Sequence, residues 1–222
     1  MSVREITLPP YTQKMEIWNA ISHGLGVLFA FICGPMAIAK AAQSSDVLGV
    51  TSVSIYVISM IVLYAGSALY HALHPSDAKR VMRVIDHDNI FLLVMGSYLP
   101  YCLIALREPF GVIPVGWILF GLVWGLSIVG IVLNSINIKK FKVLSLVMQI
   151  ALGSVVLAAF YPLYFRVGWD GTLVSFISGV FYWIGAALYG IGHKDPWMHT
   201  VFHFFVLAGT VTMFFAIYFF VL

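Results

Sequence analysis

The chain is a succession of long apolar runs separated by short polar segments. Seven runs are each long enough to cross a bilayer as a helix, which takes about 20 mostly apolar residues. They cover approximately residues 21–39, 47–73, 90–106, 110–133, 143–165, 172–191 and 201–222. These runs are continuous, whereas the strands of an outer-membrane barrel alternate apolar and polar positions over about ten residues. The pattern therefore predicts an all-α membrane protein, a bundle of seven transmembrane helices.

Composition agrees with this pattern. Of 222 residues, 61% are hydrophobic and 9% are charged, whereas ordinary soluble domains carry roughly 25% charged residues. We expect residues 1–15 to form a cytoplasmic N-terminal segment and residues 16–222 to form a single transmembrane domain. The formal net charge of +3 does not indicate nucleic-acid binding, because the basic residues lie in short loops between apolar runs rather than along one surface.

The distribution of basic residues predicts the orientation of the bundle. Lysine and arginine are enriched in cytoplasmic loops of membrane proteins. The N-terminus and the loops after runs two, four and six hold nine such residues, and the remaining loops hold three. We therefore expect the N-terminus in the cytoplasm and Leu222 outside.

Ionisable residues gather on the predicted cytoplasmic half of the bundle. All the histidines fall there: His23, His71, His74, His87, His193, His199 and His203. Ionisable side chains are costly inside a membrane and usually face the bundle interior or a wet cavity. Their clustering therefore indicates a functional site.

Four short motifs carry these polar residues at helical spacing, so that the members of a motif share one helix face. The motifs are Glu16-x-x-Asn19-x-x-x-His23, Ser67-x-x-x-His71, Asp86-His87 and His199-x-x-x-His203. Odd-numbered runs enter from the cytoplasm and even-numbered runs return to it. The motifs therefore lie at one depth, where a seven-helix bundle could bring them together.

Three of these histidines form a candidate metal site. Three neutral imidazoles around one divalent ion, with water at an open fourth position, are typical of catalytic zinc. We expect His71, His199 and His203 to be the ligands. Asp86 could hold the bound water and accept its proton. Ser67 could stabilise a developing oxyanion or donate a hydrogen bond to a substrate carbonyl.

Simpler roles stay open for the residues of the first helix. Glu16, Asn19 and His23 could form a polar helix entrance with interhelical hydrogen bonds of about 1 kcal/mol each. In the metal-site interpretation, they orient the ligands or close the cytoplasmic mouth. Interfacial histidines in general can also bond headgroups or backbone groups, and imidazole and carboxylate ligands suit iron or manganese as well as zinc.

The remaining histidines are weaker candidates. His87 follows Asp86 directly and so points about 100° away around a helix, which prevents both from facing one ion equally well. We expect His74 and His193 to lie in solvated loops.

The four motifs, in this order across seven apolar runs, resemble the hemolysin III proteins. These are similar to the progestin and adiponectin receptors and to the alkaline ceramidases. The resemblance extends from about Glu16 to the end of the chain. It implies seven helices with the N-terminus inside and a zinc ion held by three histidines near the cytoplasmic face. It also implies a multi-pass protein of the plasma membrane in a bacterial cell, and a link to membrane lipid homeostasis, with hydrolysis of a lipid amide in the related receptors.

Three functions follow as alternatives. The first is a zinc-dependent intramembrane hydrolase of a lipid amide or ester, with membrane lipids as partners and the lipid substrate bound within the bundle. The second is a receptor-like protein in which zinc is structural. The third is a pore, for which a polar path along the helices is needed, and the outer halves of these helices carry mainly scattered serine and threonine. The oligomeric state stays open.

Overall fold

A computed structural model describes residues 2–191 and 195–222, and helices dominate these two ranges. The α-helices are α1 (Gln13–Ser44), α2 (Val47–Ala72), α3 (Asp77–Pro100), α4 (Val115–Ile136), α5 (Ile138–Ser154), α6 (Phe160–Ile191) and α7 (Trp197–Ala216). Short 3-10 turns lie at Val3–Glu5 and Val155–Ala159, and π-helical turns at Tyr101–Ala105 and Ile217–Val221 extend α3 and α7. His193 and Lys194, both predicted to lie in a loop, are outside the described residues.

Six helical segments of the described chain are long and apolar enough to cross a membrane. They are Gln13–Ser44, Val47–Ala72, Asp77–Ala105, Val115–Ile136, Ile138–Gly190 and Trp197–Val221. Bilayer spans need about 20 such residues. The protein is therefore an all-helical, multi-pass membrane protein.

The fifth of these segments reverses direction within its length. Ile138–Gly190 has 53 residues, and its backbone leaves the helical conformation at Gly168, where φ is 71° and ψ is −179°. The Trp183 indole Nε1 donates a hydrogen bond of 3.0 Å to the Ser154 hydroxyl. In one continuous helix these two residues would lie about 44 Å apart. The chain therefore folds back near Gly168, in the interval between the fifth and sixth predicted runs.

Neighbouring helices in the chain pack against each other, and α1 also packs against α7, so the helices form a closed ring. Glycines allow the closest approaches. A Cβ atom at Gly26 on α1 would overlap the Tyr64 ring of α2, and one at Gly96 on α3 would overlap the Ser59 side chain of α2. Small residues at such positions are the usual means of close helix packing in membranes, where no hydrophobic effect drives helices together.

Helix α3 begins well before the third apolar run, which was predicted from residue 90. The Ser76 side chain accepts a hydrogen bond from the Lys79 backbone N–H and caps the helix at Asp77. Lys79, which the sequence pattern assigned to a loop, therefore lies in the first turn of α3 and is buried. The hydropathy pattern missed this start because the first turns of α3 are polar. The early start brings Lys79 to the histidine cluster.

Candidate metal centre

Two helix ends bring three buried histidines together. His71 lies in the last turn of α2, and His199 and His203 lie one turn apart near the start of α7. The His199 Nε2 atom is 3.4 Å from His71 Nε2 and 3.1 Å from His203 Nε2. One nitrogen from each ring lies within 4.8 Å of the others. This confirms the prediction that the three residues meet, close enough to hold a metal ion.

Two of the three spacings between these nitrogens, those from His199 to His71 and to His203, fit a tetrahedral metal. Zinc–nitrogen bonds of about 2.0–2.1 Å separate neighbouring ligand atoms by about 3.3 Å, close to the observed 3.4 and 3.1 Å.

Hydrogen bonds on the far side of two rings assign their tautomers. His71 Nδ1 lies 2.6 Å from the Glu16 Oε2 atom, which can only accept. His203 Nδ1 faces the Asn19 backbone carbonyl at 3.3 Å and the Ser22 hydroxyl at 3.1 Å, and that hydroxyl donates its own proton to the same carbonyl. Both Nδ1 atoms therefore donate, and both Nε2 atoms turn lone pairs toward one point. Converging lone pairs repel each other unless a proton or a cation lies between them.

Two side chains of the first helix hold this cluster in place through hydrogen bonds and an ion pair. Glu16 bonds His71 with one carboxylate oxygen, and its other oxygen, Oε1, lies 2.7 Å from the Lys79 ammonium. The Lys79 ammonium also donates to the Leu73 carbonyl at 2.8 Å. Asn19 Oδ1 accepts a hydrogen bond of 2.6 Å from Thr200, the neighbour of His199. Glu16 and Asn19 thus contact a candidate ligand or its neighbour, as expected for groups that orient metal ligands.

His23 lies behind the cluster rather than at its mouth. Its ring stacks on His203 with centroids 3.7 Å apart and an interplanar angle of 13°, and it meets the Tyr64 ring edge-on at 5.1 Å. Neither ring nitrogen has a hydrogen-bond partner among the described residues. His23 therefore supports His203 by packing.

Asp86 and Ser67, the predicted catalytic residues, lie in different surroundings. Asp86 on α3 is buried and lines a cavity together with His199. Its Oδ2 atom is 3.9 Å from His87 Nδ1. Ser67 lies one turn before His71 on α2, is buried, and its hydroxyl finds no hydrogen-bond partner within the described ranges. Asp86 therefore lies in the wall of the cavity next to the histidines. The Ser67 hydroxyl is left without a hydrogen-bond partner among the described residues.

The cavity itself is mostly apolar and has a volume of about 160 Å³. Asp86 and His199 line it on the histidine side, and Tyr101 and Met213 line it farther along α3 and α7. At 1.5 Å per residue, Tyr101 lies about 20 Å from Asp86 along one helix, and Met213 lies about 20 Å from His199 along the other. The arrangement offers an elongated apolar molecule a place beside the histidine cluster.

Tyr11 covers the cluster from the N-terminal segment, a contact that no sequence pattern indicated. Its ring stacks on His199 with centroids 5.1 Å apart and an interplanar angle of 20°. Burial raises the pKa of the Tyr11 hydroxyl above its ordinary value, so the phenol stays neutral at physiological pH. Tyr11 precedes α1 in an irregular segment that has no periodic pattern. Ser22 and Thr200 were also missed, although each is a polar residue next to a motif histidine.

Fold and site together define a multi-pass membrane protein with a buried three-histidine cluster that could hold a metal ion. The family model for haemolysin-III related proteins matches residues 11–214. Hemolysin-3 of Bacillus cereus is 33% identical over 94% of this chain and 93% of that protein. The hemolysin-3 homolog of Bacillus subtilis (strain 168) is 34% identical over 95% of this chain and 96% of that protein. The chain belongs to the haemolysin III family, within the progestin and adiponectin receptor superfamily, as its motifs predicted.

Proposed function

We propose that this protein is a zinc-dependent hydrolase of a lipid amide or ester, located in the plasma membrane of a bacterium and acting in lipid homeostasis. One observation carries the proposal: three Nε2 atoms converge beside an apolar cavity that His199 and Asp86 also line. A cluster that can hold a metal ion, next to space for an acyl chain, would let a metal-activated water reach the scissile bond of a bound lipid.

The proposal includes seven spans with a cytoplasmic N-terminus. The fold-back near Gly168 divides Ile138–Gly190 into two stretches, each long enough to cross a bilayer. The excess of lysine and arginine on the N-terminal side, nine against three, supports the orientation. The histidine cluster then lies near the cytoplasmic leaflet.

Each residue of the site has a defined part in this chemistry. When bound, zinc lowers the pKa of a ligand water toward about 7 and polarises a carbonyl oxygen. His71, His199 and His203 hold the ion, and Glu16 and Asn19 keep the rings oriented. The Asp86 carboxylate accepts the proton of the attacking water and returns it to the leaving group.

Ser67 and the cavity wall complete this assignment. The Ser67 hydroxyl, unsatisfied among the described residues, donates a hydrogen bond to the carbonyl oxygen of the substrate. The apolar lining of the cavity excludes bulk water from the reacting bond.

A second candidate function is a receptor-like protein in which the ion is structural. The site joins α2 to α7 through its histidines and α1 to both through Glu16 and Asn19, so a bound ion would hold three helices together. Metal removal would then lower stability strongly and no lipid would be cleaved. A pore has less support, because the cavity lining is mostly apolar and conduction needs polar groups along the path.

The deciding experiment measures metal and product on the same samples. Full-length protein purified in detergent is analysed for zinc, iron and manganese, beside a His199→Ala, His203→Ala variant. Both are then incubated with lipid extract, and released fatty acid is quantified by mass spectrometry. We expect about one zinc per chain and fatty acid release by the wild-type protein alone. Wild-type protein that holds zinc and releases no fatty acid from any amide or ester lipid excludes the hydrolase.

A further inference from the structure

A second cavity, of about 210 Å³, lies between the N-terminal segment, α3 and the start of α5. Three cations line it, Arg83 of α3 and Lys139 and Lys142 of α5, together with His87 and Thr7. Ile6 and Ile138 complete the lining on the apolar side. No part of the proposed hydrolysis uses these cations.

Positive charge in this cavity is not balanced by its own lining, which contains no carboxylate. Among the described residues, Arg83 and Lys139 take part in no ion pair with aspartate or glutamate. The Arg83 guanidinium donates to the Thr7 backbone carbonyl, which holds the N-terminal segment against α3 but leaves the charge in place.

The first turn of α5 adds to the positive potential. α5 starts at this cavity with Ile138 and Lys139 in its wall. The N-terminus of a helix carries partial positive charge. An anion in the cavity would relieve the repulsion among these groups and meet several hydrogen-bond donors at once.

The basic cavity adjoins the apolar cavity beside the histidine cluster. His87 and Lys142 line both of them. The His87 Nε2 atom lies 3.2 Å from the Tyr189 hydroxyl, and Tyr189 belongs to the wall of the apolar cavity. A basic compartment thus opens beside an apolar one, which matches a molecule with an anionic head and an acyl chain.

We propose that the basic cavity binds the phosphate headgroup of an anionic lipid, with Arg83, Lys139 and Lys142 as its ligands and the acyl chain in the adjoining apolar cavity. This rests on the proposed function in naming that lipid as the substrate. On the proposed topology, the cavity faces the cytoplasmic leaflet, where anionic lipids reside.

The test compares three probes on full-length protein in an uncharged detergent. The probes are a monoacylglycerol phosphate, the monoacylglycerol with the same chain, and inorganic phosphate. We expect the phosphorylated lipid to bind at least about tenfold more tightly than the uncharged lipid, because charged hydrogen bonds form only with the former. We expect inorganic phosphate to displace it only at far higher concentration, because the acyl chain contributes its own binding energy.

Matched variants test which residues cause the preference for the phosphorylated lipid. The double variant Arg83→Gln, Lys142→Gln should bind both lipids equally, whereas Lys140→Gln should keep the preference, because exposed Lys140 is on the same helix but outside the cavity. The Arg83 substitution also removes the contact that holds the N-terminal segment against α3. A second test therefore varies the salt concentration and uses wild-type protein alone. Raising salt from about 0.05 M to about 0.5 M should weaken binding of the phosphorylated lipid by the wild-type protein, and leave the uncharged lipid unaffected.

Three results would overturn the proposal: equal binding of the two lipids by the wild-type protein, inorganic phosphate binding as tightly as the lipid, or the same loss in Lys140→Gln as in the double variant. The second of these would indicate a site for a free anion. All binding is measured on metal-free protein, where no turnover occurs. If the protein prefers the phosphorylated lipid but the metal-loaded protein releases no product, only the proposed hydrolase activity is contradicted. If the protein hydrolyses lipid but shows no such preference, only the proposed headgroup site is contradicted.

Discussion

Glu16 and His71 lie on different helices, and the Glu16 Oε2 atom is 2.6 Å from His71 Nδ1. The carboxylate fixes the imidazole tautomer, because its oxygens can only accept and Nδ1 must therefore donate. The Nε2 lone pair of His71 is thereby directed at the point where the other two rings converge. The first helix thus orients a member of the histidine cluster without belonging to the cluster.

Glu16→Gln should lower zinc affinity by about 10- to 100-fold, the usual effect of removing a carboxylate that orients a histidine ligand. The amide keeps the size of the side chain but replaces one acceptor oxygen with a donor. Affinity is measured by competition with a chelator of known zinc affinity. Glu5→Gln is the control, since Glu5 is exposed and its side chain bonds only the Ser2 backbone among the described residues. Equal affinity in wild-type and Glu16→Gln protein would show that the Glu16 carboxylate does not orient the site.

His23→Phe should keep the metal content of the wild-type protein and its stability in detergent. The ring of His23 stacks on His203, and its nitrogens have no partner among the described residues. Replacing unsatisfied polar atoms by carbon is neutral or stabilising. His23→Ala should lower the free energy of unfolding by about 2 kcal/mol or more, because it leaves a cavity beside His203. Thermal unfolding and elemental analysis of both variants check this, and loss of metal in His23→Phe would instead identify His23 as a ligand.

Tyr11→Ala should speed the extraction of bound metal by a chelator. The Tyr11 ring covers His199, and its removal opens the cluster to water and small molecules. We expect a rate increase of about tenfold, which corresponds to about 1.4 kcal/mol in the barrier. Tyr11→Phe, which keeps the stacking ring and loses only the hydroxyl, is the matched control and should behave like wild type. A common extraction rate for all three proteins would mean that the N-terminal segment does not shield the site.

The apolar runs and the histidine cluster could be predicted from the sequence because each rests on a regular pattern. Long continuous runs report burial in lipid, and histidines four residues apart share a helix face, as His199 and His203 do. Matching depth at the ends of different runs added His71 to the set. The structure brings these three together.

Contacts made by irregular or polar segments could not be predicted in this way. Tyr11 reaches His199 because the N-terminal segment lies across the bundle, a tertiary contact without periodic signal. Lys79 reaches Glu16 because α3 begins at its Ser76 cap, far outside the apolar run. Hydropathy indicates where a helix enters the lipid but does not indicate where the helix itself begins.

The proposed seven spans predict which residues face outward. In a variant with Cys33 and Cys102 replaced by serine, a single cysteine at exposed Asp170 should react with a membrane-impermeant maleimide on intact cells. A cysteine at exposed Lys140 should react only after permeabilisation. The reason is that Asp170 follows the fold-back at Gly168, whereas Lys140 lies at the start of the same segment. Labelling of both positions on intact cells would contradict the orientation.

The fold-back of the chain depends on the backbone conformation of one residue, Gly168. Its φ of 71° and ψ of −179° lie in a region that glycine adopts almost alone, and which costs other residues about 1–3 kcal/mol. Gly168→Ala should therefore destabilise the protein by about 1 kcal/mol or more. Gly179→Ala is the matched control, because Gly179 lies in the same helical segment with open space around it and should be neutral or stabilising by about 0.5–1 kcal/mol. Thermal unfolding in detergent compares the two variants, and equal midpoints would show that the turn near Gly168 tolerates a side chain and is not held in this conformation.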